Sequence, residues 1–382
     1  MELIPARESL EPFSLIGGPL HQLGRRLGLV RGTNTVALGL ALGVGLWLVI
    51  IAIAAVQGLT DQLFDMSLVA AHARLVLVIP LFFLCESWIG PRMTAFIATI
   101  ARTGVLPPEE KPALDATVAR THRMVNSWWP EAVCLIAAIW LDVTGLRLQT
   151  FGESGGYDSA RNALAFLVYL HVGLTLFRFL LFRGAWRLAV WTWFLWRVSR
   201  LDLNLIPGHP DRAGGLGPLE SVHERFTPMV AAFSILESAS VAESISKGTL
   251  AVNAAYSWLA IVLIVDVVLF IGPLLVFTDK LWAARTKGVG LYAGLAARYV
   301  REFEAKWTGD SSERLLGTAD IQSLADLANV VNVVKGMRWI TVGPRLLTIM
   351  MIAAVAPLAP LLLFQYPLTE LAQKFFSKLI GL

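Results

Sequence analysis

Charge is scarce in this chain. Asp, Glu, Lys and Arg make up 16% of 382 residues, hydrophobic residues make up 56%, and the mean hydropathy is +0.63. Such a balance excludes the two or three soluble domains that this length ordinarily suggests. Cysteine is scarcer still: Cys85 and Cys134 both fall inside apolar stretches, which excludes a disulfide scaffold and any CxxC redox pair. No Ser-His-Asp, H-E-x-x-H or Walker arrangement occurs, so no catalytic residues, metal or cofactor are expected. Internal repeats are missing as well, which argues mildly against inverted-repeat transporters. There is no lipobox or CaaX ending, and the first 35 residues are too long and polar for a leader's n-region. The first apolar run therefore reads as a retained anchor.

What the sequence does contain is apolar runs of membrane length. Seven are expected to cross about 30 Å of hydrocarbon: residues 36–58, 68–90, 129–146, 161–182, 226–246, 255–277 and 343–366. The fifth carries Glu237 and Glu243, and hydropathy alone would leave it on the surface. Charge bias decides for crossing. With seven spans, 24 of the 32 Lys and Arg fall in the N-terminal segment and the loops of one side, against 4 on the other. Lys and Arg mark the cytoplasmic side. The expected architecture is thus an all-α polytopic transmembrane bundle with a cytoplasmic N-terminus. Its parts are a cytoplasmic segment 1–35, spans 1–6 with their loops at 36–277, a cytoplasmic helical hairpin at 278–342, and the last span with an outer amphipathic tail at 343–382.

Basic residues interleave with tryptophan after Arg183, in GAWRLAVWTWFLWRVSR, as expected at a headgroup boundary for a helix that lies on the inner surface or continues the fourth span. A sequence pI near 9.2 fits anionic lipid as counterion, and no nucleic acid is expected. In the 278–342 segment, Ile321, Leu324, Ala328, Val331 and Val334 recur at helical steps behind an N-cap candidate at Thr318. This apolar stripe must bury against the hairpin's other helix, another subunit in a homo-oligomer, or a cytoplasmic protein partner.

An ionisable residue inside a span is costly and marks function by default. Depth sorts these residues into three layers. Near the outer side are His72, Arg74 and Asp142; at the midplane His171, Glu237 and Asp266; towards the inner side Glu86 and Arg178. The outer and inner residues are expected to form ion pairs among Arg74, Asp142, Glu86 and Arg178. The midplane set is the candidate transport site, with Ser234, Ser238 and Ser240 adding hydroxyls. Tight packing of small residues explains the serines equally well.

The string LIPGHPDRAGGLGPLESVHERF, residues 205–226, supplies the other candidate. Gly214, Gly215 and Gly217 free the backbone to present successive N–H groups, and His209 and Arg212 add cationic donors, a combination suited to an anion or phosphate headgroup. The competing reading is a rigid turn in which Asp211 bonds its own backbone.

HPDRAGGLG at 209–217, GPLLVF at 272–277, ARYVREFEAKW at 297–307 and GTADIQSLADLANV at 317–330 resemble a family of uncharacterised bacterial multi-pass inner-membrane proteins. The resemblance covers about the C-terminal half. It implies a bacterial inner-membrane location and a membrane-crossing fifth helix, and it brings no activity; the family's fifth helix is less acidic, so Glu237 is a departure. Two functions are expected from the residues: a channel or proton-coupled transporter with a midplane ionisable site, or a non-transporting membrane scaffold or signalling module that binds a partner through its cytoplasmic helices.

Overall fold

A computed structural model describes residues 14–63, 65–144, 163–308 and 319–364. Every element among them is helical. A short helix, α1 (Pro19–Arg26), leads to α2 (Val36–Val56) and then to α3 (Val69–Arg102). Next come α4 (Lys111–Asn126) and α5 (Trp128–Val143), α6 (Leu164–Ser199) and α7 (Gly217–Ser246). The chain continues through α8 (Val252–Ile271), a 3-10 segment Gly272–Phe277 that carries the helix on into α9 (Thr278–Trp307), then α10 (Ala319–Lys335) and α11 (Pro344–Phe364). Six helices are long and apolar enough to cross a membrane. A seventh crossing follows if α5 is counted with the helix Pro108–Asn126 that meets it at a 42° bend.

α3 and α6 run well past their expected spans, while α2 and α11 are slightly shorter than theirs. α3 has 34 residues and α6 has 36, each about 50 Å at 1.5 Å per residue, against about 30 Å of hydrocarbon. The tryptophan–arginine segment therefore continues the fourth span as one helix and does not break away. The overhanging ends pack with α4 and the 201–216 loop into a second apolar core, in which Phe96, Ile100, Leu114, Phe194 and Leu216 are buried. The first core lies within the bundle, around Leu75, Phe83, Phe177 and Leu236.

α7 is the most buried of the candidate spans. Its sequence TPMVAAFSILESASVAES explains this, because Ala and Ser let neighbouring backbones close in from several sides. A helix shielded from lipid by protein has no need of an apolar surface, which is why hydropathy undervalues it. α2, α3 and α6 each contain a π-turn, that of α2 at Ala41–Gly45. The widened turns Arg74–Val78, just before Pro80, and Tyr169–Gly173 are π-turns, a distortion often found at functional sites. Gly272–Pro273 opens the 3-10 segment between α8 and α9.

α9 and α10 form the expected hairpin. The Tyr299 hydroxyl donates to the Asp320 carbonyl (3.0 Å), and Lys306 Nζ pairs with the Asp320 carboxylate (2.9 Å). At the other end Arg285 donates to the Lys335 carbonyl (3.3 Å), so the helices run antiparallel. Of the apolar stripe on α10 only Val334 is fully buried, and Ile321 is 36% exposed. The tail after residue 364, expected at the outer interface, lies outside the described residues.

Candidate functional site

α7 organises the polar interior. Ser234, Glu237, Ser240 and Glu243 follow one another at three-residue steps, and all four are buried. A three-residue step advances about 300°, so the set drifts about 60° per step and spirals round the helix. Different neighbours therefore meet different members. Asp266, in the middle of α8 and 5% exposed, lies close enough to Glu237 for the two carboxyl groups to interact electrostatically. Higher up, Glu243 feels Arg74 of α3 and pairs with Lys247 at 2.5 Å. Arg74 is 2% exposed; its Nη1 donates to the Tyr169 hydroxyl (2.7 Å) and its guanidinium sits 5.9 Å from the Phe177 ring centre. Both partners of that hydrogen bond, Arg74 and Tyr169, come from the π-turns of α3 and α6.

Among the described residues twelve buried side-chain atoms have no hydrogen-bond partner, and five of them lie along this spiral: Ser234 Oγ, Ser240 Oγ, Asp266 Oδ2, and Nε and Nη2 of Arg74. Buried polar atoms are nearly always satisfied, and each exception calls for a reason such as a water, an ion or a catalytic role. Five such atoms on and around one helix form the largest grouping of them among the described residues.

The expected midplane trio is brought together in two of its three members. His171 turns away to Asp142, with Nδ1 and Oδ2 at 2.8 Å, and its side chain is 54% exposed. That contact also corrects the outer layer, since Asp142 holds His171 while Arg74 reaches Tyr169. His72 is fixed locally: the Trp47 indole N–H donates to its Nδ1 (2.8 Å), so its Nε2 carries the proton given to the Leu63 carbonyl (2.6 Å). Depth along a helix is readable from sequence and rotation about its axis is not, hence these exchanged partners.

The inner layer is corrected in the same way. Glu86 meets Arg183 and Arg187, at 2.6 Å for the latter, and Arg183 Nε also reaches Glu131 Oε1 at 2.8 Å. Arg178, five residues and about 140° away from Arg183, is buried elsewhere on α6. The four charges cancel and hold the N-terminal segment. Arg187 donates to the Gly17 carbonyl (2.7 Å), and Glu131 Oε2 accepts the Leu20 N–H (2.9 Å) at the start of α1. Beside them His21 is buried, and desolvation, followed by the charge of Arg25, pushes its imidazole down to about 4. Glu131, Arg183 and Arg187 were not among the expected site residues. A signal was present, because Arg183 and Arg187 sit four apart on one face of an apolar helix.

In the 205–217 loop the anion is the chain's own. Asp211 accepts N–H bonds from Ala213 (2.8 Å), Gly215 (3.2 Å) and Gly217 (2.7 Å), and His209 Nδ1 lies 2.8 Å from it. Those donors are spent, and the expected external phosphate has no claim on them. Gly214 and Gly215 take positive φ, 65° and 96°, and Arg212 does so at 54° with its side chain exposed. A side chain at Gly217 would meet Asp211 at 2.8 Å. The loop is a clasp for the hairpin: Arg338, just past α10, donates from its backbone to the Arg212 carbonyl (2.8 Å) and from its guanidinium to the Asp211 carbonyl (3.1 Å) and Glu220 (2.9 Å). Pro207 sits where a Cβ on Gly288 of α9 would come within 2.4 Å.

Burial raises the Asp211 carboxyl, but the three N–H donors and His209 outweigh it and leave the group below the usual carboxylate range. A depressed carboxyl stabilises the fold above its ordinary range, and that contribution fades as pH falls through the folded value. Docking of the hairpin is therefore expected to loosen in acid. Asp211→Ala should weaken it at neutral pH by about 1–3 kcal/mol, the penalty for orphaned donors, and remove the acid dependence. Limited proteolysis of the 201–216 loop across pH checks both; wild-type cleavage that ignores pH would refute the clasp.

His223, the third group of a conceivable metal set with His209 and Asp211, lies apart from them. Its side chain is fully buried, with Nδ1 2.8 Å from the Phe270 carbonyl and Nε2 facing the Trp191 indole N–H at 3.2 Å. Compared with known protein families, curated proteins and solved structures, the chain matches none.

Proposed function

We propose that this chain is a transport protein of the bacterial inner membrane that moves protons or a small cation along α7, with Glu237 and Asp266 as the midplane site. The observation that carries the reading is the row of buried polar atoms without partners on and beside the most buried span. Carboxyl groups bind and release protons and ligate hard cations, and serine hydroxyls serve as intermediate ligands. Glu243 and Arg74 form the outer end of the path, and the π-turns at Arg74 and Tyr169 are where the backbone gives. The N-terminus and hairpin face the cytoplasm, a placement supported by the 24-to-4 distribution of Lys and Arg.

A second reading is a scaffold whose hairpin docks a partner, favoured by the exposure of Leu291 (66%) and Leu295 (39%) four residues apart on α9. The two separate on whether α7 is wetted. In liposomes, Ser240→Cys and Ser234→Cys should react with a charged methanethiosulfonate reagent, while the native cysteines, both buried, stay silent. Protection of both introduced thiols would contradict a hydrated path.

A further inference from the structure

Beside Gly272–Pro273 a cavity of about 620 Å³ opens between α6 and α8, well within the range of about 300–1,000 Å³ typical of ligand sites. Its shape comes from residue size. Gly184, Ala185 and Ala189 leave the α6 wall hollow, Phe82 and Phe233 floor it, and Val268, Gly272 and Pro273 line the opposite wall. Val268 and Trp196 are exposed at its lips, 63% and 42%, so it opens sideways out of the bundle. The lining is apolar, and the Thr192 hydroxyl is turned to its own helix, donating to the Leu188 carbonyl (2.8 Å). Such a lining takes hydrocarbon and offers nothing to a polar solute.

Charge at one end identifies the rest of the occupant. Trp193 and Trp196 close the cavity at the far end of α6, and each carries an arginine on its ring: Arg120 of α4 lies 5.6 Å from the Trp193 centre and Arg200 lies 5.4 Å from that of Trp196. Both guanidinium groups are exposed. Stacked on indole, each guanidinium is oriented with its donors free, the arrangement that suits a phosphate. Tryptophan beside arginine also marks headgroup depth.

We infer that this cavity is a site for one anionic phospholipid, an acyl chain lying along Gly184 to Ala189 and the phosphate on Arg120 and Arg200. The lipid fills the gap between α6 and α8 beside Pro273 and so supports the packing of these two helices.

Native mass spectrometry of the full chain released from nanodiscs of equal phosphatidylethanolamine and phosphatidylglycerol tests the site. Wild type is expected to retain one phosphatidylglycerol. Ala189→Trp fills the hollow from an exposed position and should retain none, with Ala185→Trp as a second filling variant should the first fail to fold. Arg120→Gln with Arg200→Gln should keep a lipid but lose the anionic preference by about tenfold, the worth of one charge-assisted hydrogen bond. No lipid on wild type, wild-type retention by a folded filling variant, or an unchanged preference after loss of both arginines would overturn the assignment.

Discussion

Arg183→Met should destabilise the protein by about 3–5 kcal/mol and release the N-terminal segment, although its partners Glu86 and Glu131 are not residues of the proposed path. The size follows from burial. Arg183 is 3% exposed and bridges Glu86 and Glu131, while Arg187 is engaged with Glu86 and the Gly17 carbonyl. Taking away one cation leaves two carboxylates against a single arginine, and an uncompensated charge in a dry interior is the expensive case. Glu131 has a second duty, since its other oxygen holds the Leu20 N–H of α1. Removing both partners is milder than removing one, so Arg183→Met with Glu131→Gln should recover part of the loss. Thermal unfolding in detergent, with protease access to residues 14–26, reads both effects. A single variant within about 0.5 kcal/mol of wild type would mean that these charges are not a network.

Asp266→Leu should do the reverse, raising thermal stability while abolishing transport. Oδ2 of this buried carboxylate has no hydrogen-bond partner, and an unsatisfied buried polar group costs about 1–3 kcal/mol. Leucine is apolar and has the same branched heavy-atom skeleton, so it relieves the penalty and removes the neighbouring repulsion with Glu237. The sign of the change separates two roles. A carboxylate that pins helices together is missed when it goes, whereas one retained for function leaves a more stable and inactive protein behind. Loss of stability in Asp266→Leu would therefore assign the residue to packing. The comparison with Arg183 uses the same assay and the opposite sign, so one set of melts reports on both clusters.

These two clusters also mark how far the sequence could be read. The all-helical architecture with six or seven apolar helices of membrane length was legible, because membrane length acts on whole segments and survives errors of a few residues. The hairpin was legible for a similar reason, its helical period being sustained over 17 residues. Pairing was not. His171 and Asp266 share a depth, yet one faces Asp142 and the other Glu237, and only helix rotation distinguishes them. Span ends limited the reading further. With the fourth span expected to stop at 182, Arg183 and Arg187 read as headgroup residues, whereas α6 runs on to Ser199 and buries both. In the 205–217 loop it is the competing reading that fits, since Asp211 takes the backbone N–H bonds that an external anion was expected to take.

The most direct measurement of the central claim is pH-gradient dissipation and cation current in liposomes holding the purified chain, wild type beside Asp266→Asn, which keeps the shape and removes the charge. Movement of protons or a small monovalent cation by wild type that disappears in Asp266→Asn is the result predicted here. Well-folded wild type that dissipates no gradient in either direction, or a variant that conducts as well as wild type, would contradict the account.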